Sequence, residues 1–178
     1  MPVEPEYQLI EVKVQTLQQI FNSMDPPPFH ERDLDREAEE FIISWAKEHS
    51  SRKPYKLIVH LGQGTDRADA VQILSESIRN YFAYRAEMNR RELKQLLHYG
   101  WISLIIATLF LGLCVTVAQT VDPELGRFRP ILREGLIILG WVAMWRPLDV
   151  YLYRWWPIYR LGKIYEKLST MPVEIRLS

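Results

Sequence analysis

Hydrophobic and polar positions alternate with a period of two at three places along the chain. Ile10, Val12 and Val14 are separated by Glu11 and Lys13, the pattern of a strand with one buried face, near residues 8–14. The run Tyr55-Lys-Leu-Ile-Val-His-Leu61 predicts a second strand, ended by Gly62-Gln-Gly64. Near the C-terminus Val173, Ile175 and Leu177 alternate with Glu174, Arg176 and Ser178, which predicts a third. Between the first two, the period lengthens to that of a helix. Thr16 and Gln19 have capping-box spacing ahead of Leu17, Ile20, Phe21 and Met24, so a short helix is expected, stopped by Asp25-Pro-Pro-Pro28. Residues 33–49 then open with carboxylates and place Leu34, Ala38, Phe41, Ile42, Trp45 and Ala46 on one face, with the early acids at the positive end of the helix dipole. The strand, helix, strand order predicts a parallel pair joined by a crossover, with the last strand completing the sheet.

From about Asp66 helical spacing resumes through Val71, Leu74, Ile78, Phe82, Leu93, Leu96 and Leu97, with no proline before Pro123. One long helix is expected, with Gly100 as the alternative break point. Its second half, residues 101–121, is uncharged and has the ~20-residue length needed to cross a bilayer core. A second apolar run covers residues 135–145 and needs positions beyond Pro147 to complete a span, so a kink is expected there. The dense aromatic stretch that follows, with Trp141, Trp145, Tyr151, Tyr153, Trp155, Trp156 and Tyr159 among arginines, suits the boundary between lipid and water. Together these runs predict a transmembrane hairpin, and Gly135, Gly140 and Ala143 offer it a close-packing face for self-association.

Charge sets the orientation and removes one class of partner. The 22 basic and 22 acidic side chains balance, which gives no support for a nucleic-acid partner. Arg85, Arg90, Arg91, Lys94, Arg146, Arg154, Arg160, Lys163 and Lys167 flank the outer ends of the two spans, against Arg127, Arg129 and Arg133 in the connection. That asymmetry, with an N-terminal stretch lacking the features of a signal peptide, predicts both termini in the cytoplasm. The single cysteine, Cys114, falls in the first span, so no intrachain disulfide is expected.

The segments Asp25-Pro-Pro-Pro-Phe-His-Glu-Arg-Asp-Leu-Asp35, Tyr81-Phe-Ala-Tyr-Arg85, residues 134–147 and Met171-Pro-Val-Glu174 resemble an uncharacterised family of small bacterial inner-membrane proteins with two transmembrane helices and a cytoplasmic α+β domain. The resemblance implies a bacterial inner-membrane setting. It transfers no activity and no functional residues.

Candidate chemistry is sparse. His30, Glu31, Asp33 and Asp35, with Asp25, gather oxygen and imidazole donors in a proline-stiffened loop with the composition of a divalent-cation site. The competing account has Asp33 or Asp35 capping the following helix. Gly62-Gln-Gly-Thr-Asp66 stands where a phosphate-binding turn would, but Arg67 replaces the third glycine of the dinucleotide fingerprint, and a plain strand-to-helix turn is favoured. His60 and His98 have no nucleophile at a recognisable motif. Arg133, Glu134 and Asp149, at the ends of the second span, are candidates for an ion or proton path, with snorkelling and local pairing as the milder account. Ser103, Thr108, Thr116 and Thr120 can bond to backbone or to a neighbouring helix.

The sequence therefore predicts an α+β membrane protein: a small three-stranded cytoplasmic sheet with covering helices, and a two-helix hairpin whose first helix extends from it. Residues 1–98 are expected to form the cytoplasmic domain, residues 99–156 the hairpin and interfacial aromatic segment, and residues 157–178 a helix and strand that return to the domain. The expected function is that of a non-catalytic, membrane-anchored interaction or assembly protein without cofactor. Its expected partners are the lipid bilayer, a second copy of the chain, and a cytoplasmic or membrane protein. An oligomeric channel or transporter subunit and a metal-dependent enzyme using the Asp25 to Asp35 loop are the alternatives.

Overall fold

The computed structural model describes residues 6–15, 20–21, 34–49, 53–62, 68–120, 126 and 128–177. In chain order it contains β1 (Gln8–Val14), α1 (Arg36–Glu48), β2 (Tyr55–Leu61), α2 (Ala68–Thr120), α3 (Phe128–Asp149), a π-helical turn (Val150–Arg154), α4 (Trp155–Ser169) and β3 (Val173–Leu177). These elements divide into two compact units, Met1–Asn89 with Arg160–Ser178, and Arg90–Tyr159.

The first unit is built on a sheet of order β1-β2-β3, all parallel. A right-handed crossover between neighbouring parallel strands puts its helix on a fixed face, and two successive crossovers in the same direction put both on the same one. The packing follows that rule. Ile10, Leu57, Val59 and Leu61 point into a core with Ile42 and Ala46 of α1, Leu74, Ile78 and Phe82 of α2, and Ile164 and Leu168 of α4. Val12, Val14, Val173 and Ile175 border the same core, so the period-two alternation of all three strands marks one buried face.

Local chemistry sets the ends of α1. Asp35 is its N-cap and accepts a hydrogen bond from Glu37 N at 2.9 Å. At the far end the Tyr55 hydroxyl donates to Ala46 O at 3.1 Å, satisfying one of the last-turn carbonyls that a helix leaves without an internal partner. Trp45 stacks on His49 at 4.2 Å between ring centroids and meets Tyr55 edge-on at 6.3 Å. Of the short helix expected at residues 16–24, only Ile20 and Phe21 are described. Both are buried, Phe21 bridges Leu34, and Ile20 O accepts from Asp35 N at 2.7 Å.

The long helix expected from residue 66 is α2, with no interruption at Gly100. Within the second unit, Ala107, Cys114 and Ala118 are buried on one face of α2. That seam meets α3 at Gly140, where an added Cβ would lie 2.7 Å from Leu111 Cδ1, 3.2 Å from Leu111 Cα and 3.3 Å from Cys114 Cβ. Gly140 is thus already occupied inside the hairpin, a correction to its expected part in self-association, while Gly135 has nothing within 4 Å. Just beyond Pro147, where a kink is expected, the helix widens into a π-helical turn between Pro147 and Pro157. Proline removes a backbone donor, and widening the helix redistributes the carbonyls left behind. Tyr151 O accepts from the Trp155 indole at 2.7 Å, and the Tyr151 hydroxyl reaches Leu97 O at 3.4 Å. The turn also brings Val150 and the Tyr151 ring against Gly100.

Candidate functional site

Among the described residues, those with candidate chemistry are dispersed. Asp25, His30, Glu31 and Asp33 lie outside the described residues, and Asp35 is engaged as the cap of α1. Among the described residues no three His, Cys, Asp or Glu side chains gather as metal ligands. Gly62 N donates to Val14 O at 3.0 Å, which closes the β1-β2 ladder; the rest of the turn, residues 63–67, is outside the described set. Arg133 and Glu134 are exposed on α3, Asp149 is part-buried at its end, and none of the three forms an ion pair among the described residues. Ser103, Thr108, Thr116 and Thr120 all bond to carbonyls of their own helix.

Two surfaces stand out instead. The first is the sheet face turned away from the helices. Register puts Leu9, Glu11 and Lys13 of β1, Lys56, Ile58 and His60 of β2, and Glu174 and Arg176 of β3 on it. Ile58 is fully buried at the centre, and the polar side chains around it are cross-linked. Lys56 Nζ lies 2.6 Å from Glu174 Oε2, Arg176 Nε lies 2.9 Å from Glu174 Oε1, and His60 Nε2 lies 3.4 Å from Glu11 Oε2. Hydrogen bonds from Lys56 and then Arg176 hold the Glu174 carboxyl below its ordinary range. Parallel sheets are normally covered on both faces. Here the core residues of all three described helices of the unit belong to the other face.

The second surface belongs to the hairpin. Ile106, Leu109 and Leu113 of α2, and Ile138, Trp141, Val142 and Trp145 of α3, are among many large apolar side chains left exposed, with Leu109 at 70% and Trp145 at 71%. Monomeric soluble proteins rarely expose contiguous apolar surface on this scale. By length and composition, α2 and the helical stretch Phe128–Ser169 are each capable of crossing a membrane.

A third cluster, between the helices of the first unit, is structural. Arg85 Nη2 lies 2.6 Å from Glu39 Oε1, and its Cζ sits 5.6 Å from the centroid of the Tyr165 ring. Burial by itself would lower the Arg85 pKa, but Tyr165, Glu39 and Tyr81 outweigh it and raise it overall. One arginine thus ties α1, α2 and α4 together. Nothing in the sequence pairs residues 39, 85 and 165. The polar sheet face was accessible in principle, because every polar residue on it occupies the alternate position of a recognised strand. Comparison with protein-family models, with curated proteins and with solved structures finds no match.

Proposed function

We propose that the chain is a non-catalytic interaction protein, anchored by two transmembrane helices in a bacterial inner membrane, that presents its small α+β unit to a protein partner on the cytoplasmic side. The observation that carries this reading is the pairing of two incomplete surfaces in one chain. The hairpin has an apolar exterior suited to lipid, and the sheet has a polar face without a covering helix among the described residues. The unequal distribution of lysine and arginine about the spans supports both termini being inside. The dispersal of the described candidate residues favours binding over catalysis.

The test is site-specific photo-crosslinking in native membranes. A crosslinker at Lys56 or Glu11, on the polar face of the sheet, is expected to capture a discrete partner, whereas one at Glu40, on the exposed side of α1, is not. Equal yields from both faces would remove the assignment of the partner to the sheet. Retention of the chain in the membrane after alkaline carbonate is the expected companion result. Its release would remove the anchoring.

A further inference from the structure

We infer that the groove on the outer face of α3 is a binding site for an anionic phospholipid, with the phosphate on Arg146 and an acyl chain against Trp141 and Trp145. The inference rests on the bilayer placement proposed above. An open groove of about 480 Å³ is lined by Ile138, Trp141, Val142, Trp145 and Arg146. These positions follow helical spacing down one face, and the groove extends along about 12 Å of the axis at ~1.5 Å per residue. Its walls are apolar apart from the guanidinium at one end.

The charge is what selects the occupant. The uncharged part of α3, residues 135–145, covers only about 16 Å of a hydrocarbon core that is about 30 Å thick. Crossing with α3 therefore brings charge close to the hydrocarbon boundary, and Arg146 ends the uncharged run on the side of the π-helical turn. Arg146 is exposed and forms no ion pair among the described residues, although Asp149 follows within one turn. An arginine at that depth draws an anionic group to itself or snorkels to the headgroups. Guanidinium is suited to two-pronged hydrogen bonding with phosphate. A second copy fits the groove less well. Symmetric pairing through the same face would bring two Arg146 side chains together at one depth, without a counter-charge.

Native mass spectrometry of the detergent-solubilised full chain, titrated with phosphatidylglycerol or phosphatidylcholine, tests the site. The chain is expected to retain phosphatidylglycerol preferentially, and Arg146→Gln to weaken that retention about tenfold, as loss of a charge-assisted hydrogen bond would. Arg146→Lys should keep most of the preference, and Arg129→Gln, at the opposite end of α3, should leave it intact. Unchanged retention in Arg146→Gln, equal losses in the Arg146→Gln and Arg129→Gln chains, or a dimer that replaces the lipid-bound species would each overturn the site. Carbonate extraction of the same variants separates the two readings. Chains that stay in the membrane without lipid preference refute the site alone, whereas release of the unmodified chain refutes the insertion on which it rests.

Discussion

Substituting Gly162→Ala tests a close approach of α2 and α4 in the first unit. A Cβ built on Gly162 would overlap the Oδ1 of Asn89, and Asn89 is itself buried, with 7% of its surface exposed. The amide oxygen thus occupies the space toward which a glycine hydrogen points, the arrangement of a Cα–H···O contact between helices. Two effects oppose each other. Alanine is better than glycine in a helix interior by about 1 kcal/mol, while forcing an extra methyl into a packed site costs about 1–3 kcal/mol. Because the obstructing atom is a buried amide and not a solvent-exposed chain end, the steric term should win, leaving the variant destabilised by about 1 kcal/mol.

The background Asn89→Ala removes the obstruction, so there Gly162→Ala should stabilise by about 1 kcal/mol, the helix-propensity gain alone. The sign of the effect is therefore expected to invert between backgrounds, with a coupling of about 2 kcal/mol from the four-way cycle. Thermal unfolding in mild detergent, followed by circular dichroism, would read this as Tm changes of roughly 2–4 °C in opposite directions. The same destabilisation in both backgrounds would refute the contact between Asn89 and Gly162 as its cause.

Other consequences are tested separately. Ile175→Asp should cost a few kcal/mol by placing an unpaired charge at the core edge, whereas Arg176→Asp on the opposite face should cost less than about 1 kcal/mol; equal small losses would mean that β3 does not dock in the described register. Glu39→Gln should destabilise the first unit by about 1–2 kcal/mol, because it weakens the ion pair of a part-buried arginine, and denaturant unfolding of Arg85→Met alone and combined with Glu39→Gln should show clear non-additivity. The Glu174 carboxyl, held below its ordinary value of 4.5 by Lys56 and Arg176, supports folding above that pH and ceases to do so as pH falls through its lowered value. Unfolding measured from pH 6 down to pH 3 should therefore lose stability less steeply in Glu174→Gln than in the unmodified chain. Gly140→Leu should separate α2 from α3 and expose Cys114 to a thiol reagent in detergent, and unchanged protection would contradict the packing at Leu111.

What can be read from the sequence follows from the range of the interaction responsible. The strands are legible because burial on one face imposes an alternation visible within seven residues, and the shared direction of the crossovers then follows from chain handedness. Helix α2 is legible in the same way, since an unbroken period without proline leaves little alternative. Pro147 announces a departure from regular helix, but the distant partners of the π-helical turn, Gly100 and Leu97 O, are not identified by the local sequence. Glycines show the limit most directly. Gly135 and Gly140 look equivalent in an apolar run, yet one faces open space and the other holds two backbones together. The Glu39, Arg85 and Tyr165 cluster is further from view, because its members meet only after three helices have packed on one sheet. The two candidate surfaces differ in the same sense. The groove on α3 spans little more than two helical turns, so the spacing of Ile138, Trp141, Val142 and Trp145 already contains it. The polar sheet face becomes visible only when the chain is seen to place all its described helical packing on the opposite side, which is a property of topology and not of any single segment.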